Sequence, residues 1–134
     1  MEQEAFEQEK QRVEALFQRW IVPLYLGSWQ FDRRYYQVGA LFREETECGP
    51  NTAMKADVSW EYMFGRVSVN CEMTAHLSGK RLEEAVVHEM VHFHLAELAT
   101  LLDDSDDVQK HVERVTTVLA RCFVSVRTTE EETQ

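Results

Sequence analysis

The chain has 134 residues, of which 44% are hydrophobic, and this is enough to build the core of one compact domain. Its formal net charge of −10 repels polyanions, which argues against binding to nucleic acid or to an anionic membrane through a basic surface. No apolar run in the sequence approaches the roughly 18 residues that a membrane-spanning helix requires.

The N-terminus and the cysteines together favour a cytoplasmic location. Residues 1–5 are acidic at Glu2 and Glu4 and lack the basic and apolar regions of a signal peptide. Cys48, Cys71 and Cys122 are too few and too scattered for a disulfide framework, and they form no CxxC pair. We therefore expect a single cytoplasmic domain over residues 1–134 with reduced thiols.

The first part of the chain predicts a helix followed by strand structure. Apolar residues recur at helical spacing over Glu2–Trp20, and strong helix formers fill the other face. Pro23 and Gly27 end this helix. Aromatic residues between Trp29 and Phe42 predict one or two strands, and Cys48–Asn51 reads as a turn.

Two further strands are predicted from alternating apolar and polar residues. The alternation covers Ala56–Tyr62 and Val67–Cys71. Phe64 and Gly65 lie between them and suit a short turn, so the pattern indicates a hairpin. We therefore expect a small, mostly antiparallel sheet.

The second half of the chain predicts two helices. Ser78 can cap the first, which is predicted over Gly79–Leu102. Asp106 or Asp107 can cap the second, which is predicted to run to about Val126. The acidic segment 103–107 separates the two helices, and the tail 128–134 is expected to fray. The apolar side of the last helix is predicted to comprise Val108, Val112, Val115, Leu119, Cys122 and Phe123. The order of elements indicates an α+β domain.

The predicted helix after Ser78 carries the sequence His88-Glu89-Met90-Val91-His92, an HExxH motif. Two histidines four residues apart lie on one helix face, where their nitrogens can converge on a single ion. Zinc accepts histidine nitrogens and favours tetrahedral geometry. Glu89 can then reach a metal-bound water rather than the metal, as a general base must. The motif therefore predicts a zinc site with Glu89 as its catalytic residue.

A third ligand is required, and Glu113 is the favoured candidate. It follows His92 by 21 positions, across the acidic segment, and an antiparallel return of the last helix would bring it beside the two histidines. His111 is the main rival, although it faces nearly away from Glu113 on a helix. Asp103 and Asp104 could ligate only if the preceding helix ended early.

Other polar residues are candidates for contacts with a substrate or with a developing oxyanion. They are His111, Tyr62 and His76. His94 comes two positions after His92 and is expected to point away from the metal.

With these residues in place, the chain resembles the zincin metallopeptidases. It is most similar to the short gluzincin-type metallopeptidases of phage and mobile elements, in which a small sheet precedes an HExxH helix and a later glutamate helix. The resemblance covers about residues 28–124, and HExxH is its specific part. It implies a zincin-like fold, zinc ligands at His88, His92 and Glu113, and a base at Glu89.

The resemblance also implies an activity and a substrate. The expected reaction is hydrolysis of a peptide bond by Glu89-assisted attack of zinc-bound water. The substrate would be a peptide or protein, bound in extended form along a free edge of the sheet at Val67–Cys71 or a neighbouring strand. The alternative is a catalytically silent protein that keeps the zincin scaffold for binding or regulation.

Other HExxH families match less well. The metzincin pattern requires glycine and histidine where this chain has Leu95 and Leu98, which excludes it. Peptide deformylases take a cysteine ligand, but Cys48 lacks that family's sequence context. Small SprT-like proteases take a third histidine, for which His111 is the only late candidate.

Overall fold

A computed structural model of the protein describes residues 1–37 and 51–132. These residues form four helices, three strands and a 3-10 turn at Trp60–Tyr62. The helices are α1 (Gln3–Ile21), α2 (Cys71–Thr74), α3 (Gly79–Ala99) and α4 (Asp106–Glu132), and the strands are β1 (Gln30–Tyr36), β2 (Met54–Ser59) and β3 (Phe64–Asn70). The expected α+β class is confirmed.

The sheet is mixed, with β3 at its centre in the order β1-β3-β2. β1 pairs with β3 in parallel, from Gln30 opposite Phe64 to Tyr36 opposite Asn70. β2 pairs with β3 in antiparallel fashion. The prediction of a mostly antiparallel sheet was therefore wrong. The alternation of apolar and polar residues indicates which face of a strand is buried. It does not indicate whether a neighbouring strand that is distant in sequence runs parallel or antiparallel.

The connection between β2 and β3 also differs from the predicted hairpin. The chain turns at Trp60–Tyr62 and at Met63, whose φ of 50° lies in the left-handed region. Phe64 and Gly65, predicted as the turn, already belong to β3. Gly65 is buried, and a Cβ atom at this position would overlap the ring of Phe93. This glycine therefore permits close packing of α3 on the sheet.

One hydrophobic core joins α1, the sheet, α3 and α4. β3 is central and buried over Val67–Asn70 on both faces, as expected of a covered strand. Phe17 of α1 and Phe93 of α3 are fully buried and both contact the ring of Phe31 on β1. This packing holds α3 firmly against the sheet.

Both long helices of the second half begin at a serine. Ser78 caps α3, as predicted, and its side chain accepts a hydrogen bond from the Arg81 amide. At the start of α4, the side chain of Ser105 accepts a hydrogen bond from the Val108 amide. The cap therefore lies one position before Asp106 and two before Asp107, the two predicted candidates, because Ser105 offers a hydrogen-bond acceptor earlier in the chain.

The helix α4 differs from its predicted pattern in length and in its buried face. It continues to Glu132, so residues 128–132 are helical rather than frayed. Its buried residues are Thr116, Ala120 and Val124, whereas Val115, Cys122 and Phe123 are exposed. A small-residue stripe therefore lies against α3.

The helices α3 and α4 run antiparallel. Glu84 contacts Arg121, His88 contacts Thr117, and His92 contacts Glu113. Residues that come later in α3 therefore contact residues that come earlier in α4. This arrangement places residues of α4 opposite the HExxH motif. Across the described ranges, no helix is both long enough and apolar enough to cross a membrane.

Candidate metal centre

His88, His92 and Glu113 converge on one point between α3 and α4. The Nε2 atoms of the two histidines are 3.1 Å apart. The Glu113 carboxylate places Oε2 3.0 Å from His88 Nε2 and Oε1 3.0 Å from His92 Nε2. One ligand atom from each residue lies within 4.8 Å of the others, so the group could hold a metal ion.

The burial of this group suits a cation-binding site. The side chains of both histidines are about one-fifth exposed, and that of Glu113 is about half exposed. Burial lowers the pKa of His92, and the nearby His88 lowers it further, against the opposing attraction of Glu113. The lowered pKa favours the neutral form of His92, which is the form that binds a metal.

Thr117 contacts the other side of the His88 ring. Its Oγ1 lies 3.3 Å from His88 Nδ1, one helical turn after Glu113 on α4. When Nδ1–H donates to this hydroxyl, Nε2 presents its lone pair to the common point of the three residues. Sequence reasoning missed Thr117, although the spacing of four from Glu113 could have indicated it.

Glu89 lies beside the group but does not belong to it. Its side chain is only 9% exposed, and within the described residues its Oε2 has no hydrogen-bond partner. Burial, together with the negative charges of Glu113 and Asp57, raises the pKa of Glu89 to about 8, although the Ala56 backbone amide donates to the carboxylate and opposes the shift. A cation bound nearby would favour the charged carboxylate.

Two cavities meet at Glu89 and Met54. The first, of about 770 Å³, is also lined by His88 and Thr117, and we name it the His88 cavity. The second, of about 480 Å³, is also lined by His92 and Glu113, and we name it the His92 cavity. We refer to the two cavities together as the cleft; His88 lines one of them, and His92 and Glu113 line the other. A third cavity, of about 1090 Å³, is lined by none of these site residues.

The remaining sequence candidates do not line this cleft. Tyr62, His76 and His111 are exposed and line neither the His88 cavity nor the His92 cavity, so their suggested contacts stay predictions. His94 points away from the group, as expected, and its Nε2 lies 2.5 Å from the Leu24 carbonyl oxygen. Cys48 lies outside the described residues.

The fold and the geometry thus define an α+β protein with a candidate His-His-Glu metal centre. Comparison of the chain with protein-family models, with curated proteins and with solved structures found no match.

Proposed function

We propose that this protein is a zincin-type, zinc-dependent hydrolase that cleaves peptide bonds. The observation that carries the proposal is the convergence of His88, His92 and Glu113 beside the unpartnered, buried Oε2 of Glu89. Buried carboxyl oxygens normally have a hydrogen-bond partner, and a catalytic role is one reason for an exception. A substrate water held by the site would be the natural partner of this oxygen.

The donor set fits zinc in type and in spacing. Two imidazole nitrogens and one carboxylate oxygen are the ligands of many catalytic zinc sites, which leave a fourth position open. Tetrahedral ligands about 2.05 Å from an ion lie roughly 3.3 Å apart. The two imidazole nitrogens are 3.1 Å apart, and each lies 3.0 Å from a different oxygen of the Glu113 carboxylate. One ligand atom from each residue lies within 4.8 Å of the others, which is compatible with a shared ion. When bound, zinc would supply a Lewis acid for the carbonyl group and for water.

Glu89 is positioned to carry the proton during peptide hydrolysis. The Ala56 amide anchors its carboxylate against β2, and its Oε2 has no partner within the described residues. The carboxylate accepts a proton from water as the water oxygen forms its bond to the carbonyl carbon. It then donates this proton to the leaving nitrogen as the carbon–nitrogen bond breaks. Burial raises the pKa of this carboxyl group, and a bound cation would oppose that shift, so the group could both accept and release a proton.

The edge of β2 is the proposed platform for the peptide. β3, which includes most of the predicted segment Val67–Cys71, pairs on both sides and has no free edge. Within the described ranges, β2 pairs only with β3, and its residues Met54, Ala56 and Val58 line the cleft. An extended peptide added to this edge would pass between β2 and the metal centre.

The decisive experiment separates metal binding from turnover. The Glu89→Gln variant keeps all three proposed ligands but cannot accept the proton, so it should bind zinc like the wild type and lose at least about 100-fold in cleavage rate. Zinc content by mass spectrometry and cleavage of an unfolded protein substrate, such as casein, provide the two measurements. A matched control is Glu97→Gln, at an exposed position of α3 that lines neither cavity of the cleft.

Three outcomes have distinct meanings. Loss of cleavage with retained zinc supports the proposal. Equal activity of wild type and Glu89→Gln overturns the role of Glu89. Tight zinc binding without any cleavage by the wild type would favour the catalytically silent scaffold instead.

A further inference from the structure

The His88 cavity has a basic wall in an otherwise acidic protein. Lys80, Arg81 and Arg121 line it, together with the acidic residues Glu84 and Glu89. The whole chain carries a formal net charge of −10, so three cationic side chains around one cavity are a local reversal of the surface charge. At physiological ionic strength, salt screens the interaction between exposed charges beyond about 8 Å. A ligand in this cavity therefore interacts chiefly with the charges of the residues that line the cavity.

Two of these three cations are available to a ligand. Arg121 Nε lies 3.5 Å from Glu84 Oε2, so its charge is partly compensated. Among the described residues, neither Lys80 nor Arg81 lies within ion-pair distance of a carboxylate. Both lie in the first turn of α3, where no acidic residue is present and the helix dipole favours negative charge. The two cationic side chains and the N-terminal end of α3 therefore all favour a negatively charged group.

The His92 cavity has a different lining. Its wall is mainly apolar, with Val58, Leu95 and Val112 among its residues, and Lys55 is its only cationic residue within the described part of the chain. The cleft is therefore asymmetric along its length, basic beyond His88 and largely apolar beyond His92. In a peptide bound across the metal centre, the residues on one side of the cleaved bond would contact the basic cavity, and those on the other side would contact the apolar cavity.

We infer that the His88 cavity is a subsite for an acidic side chain of the substrate, bound by Lys80 and Arg81 with support from Arg121. The substrate class is then a peptide with an aspartate or glutamate on one side of the cleaved bond only. This inference rests on the proposed peptidase function for its place in the reaction. The selectivity for an acidic side chain, however, belongs to the cavity itself and can be measured as binding.

The test uses zinc-loaded Glu89→Gln protein, in which turnover does not interfere with binding. Fluorescein-labelled ten-residue peptides carry a pair of adjacent glutamates at successive positions, and matched peptides carry glutamines instead. Fluorescence anisotropy should show the best glutamate peptide binding about fivefold more tightly than its glutamine partner, as expected for exposed ion pairs. The advantage should decline as salt is raised from 50 to 500 mM.

Two double variants distinguish the cavity from the general surface charge. Lys80→Gln with Arg81→Gln should abolish the preference for glutamate. Arg34→Gln with Lys110→Gln removes the same charge at exposed positions that line neither cavity of the cleft, and it should preserve the preference. Circular dichroism establishes that each variant is folded.

The outcomes separate this inference from the proposed function. Equal affinity for glutamate and glutamine peptides, or equal loss in both double variants, overturns the acidic subsite even if the wild type cleaves peptides. A glutamate preference that depends on Lys80 and Arg81 supports the subsite even if the wild type cleaves nothing. Where the wild type does cleave, the mapped sites should carry acidic residues on one side of the bond.

Discussion

His88 and Thr117 are in contact across the α3–α4 interface, with Thr117 Oγ1 3.3 Å from His88 Nδ1. The opposite nitrogen of the same ring lies 3.0 Å from Glu113 Oε2. One turn of α4 therefore contacts both nitrogens of a single histidine. Such an outer contact orients the imidazole and selects the tautomer that a metal ligand needs.

This contact predicts a metal-affinity effect for a residue outside the ligand set. Thr117→Val keeps the size and shape of the side chain but removes the hydroxyl, so zinc affinity should fall by about 10-fold or more. Competition with a chromophoric zinc chelator measures the dissociation constant. Thr117→Ser keeps the hydroxyl and should retain most of the affinity. If the valine and serine variants bind zinc equally well, the hydroxyl does not orient His88.

A second prediction concerns the three proposed ligands themselves. His88→Ala, His92→Ala and Glu113→Ala should each reduce zinc content after purification without chelator, because each removes one of three protein ligands. His111→Ala is the matched control, since His111 lies on α4 two residues before Glu113 and is exposed. Its zinc content should equal that of the wild type. Loss of zinc in His111→Ala with retention in Glu113→Ala would reverse the choice of third ligand.

Zinc should also stabilise the fold, because a ligand that binds only the folded state raises its stability. At a free zinc concentration of 1,000 times the dissociation constant the gain is about 4 kcal/mol. Thermal unfolding followed by circular dichroism, with zinc and with a chelator, measures the difference. The Glu113→Ala variant should show a much smaller shift than the wild type. An unchanged melting temperature in the wild type would contradict metal binding to the folded protein.

The candidate site was largely predictable, because its specific part is local in sequence. His88 and His92 share a face through helical spacing alone, and Glu113 needed only an antiparallel return of the next helix. Thr117 and the Ala56 contact to Glu89 depend on how α4 and β2 pack against α3, which helical spacing does not determine. The exposure of Tyr62, His76 and His111 likewise depends on tertiary packing.

The fold was predictable in its elements and less so in their arrangement. Helical periodicity indicated α1, α3 and α4 to within a few residues, apart from the C-terminal extension of α4. The parallel pairing of β1 with β3 joins segments that are separated by β2 in sequence, so no local pattern could specify it. Gly65 was misread because glycine signals both turns and close packing.

The close packing of Gly65 predicts a destabilised variant. Gly65→Ala places a Cβ atom against the ring of the fully buried Phe93, which α3 holds on the sheet. Overpacking of this kind costs about 1–3 kcal/mol. Urea unfolding measures the free energy of unfolding. Gly27→Ala is the control, because a Cβ atom there has no neighbour within 4 Å, and it should change stability little. Equal stabilities of the two variants would show that the ring accommodates the extra methyl group without cost.

The carboxylate of Glu14 predicts a pH-dependent contribution to stability on the α1 side of the sheet. It accepts hydrogen bonds from Arg33 at 2.8 Å through both oxygens, from Tyr35 at 2.5 Å and from Gln18 at 2.7 Å. Burial raises the pKa of Glu14, but the hydrogen bonds and the charge of Arg33 outweigh it and hold the pKa below the ordinary value of 4.5. The folded protein therefore favours the charged form.

The sign of the effect follows from this lowered pKa. The stabilisation is fully present above the unfolded-state pKa, near 4.5, and is lost as the pH falls through the lower folded-state pKa. Glu14→Gln should therefore be less stable than the wild type at pH 7, and the difference should shrink below about pH 4.5. Urea unfolding at pH 7, 5, 4 and 3 provides the comparison, with Glu4→Gln as an exposed control on the same helix. A difference that stays constant from pH 7 to pH 3 would mean that Glu14 acts through packing and not through its charge.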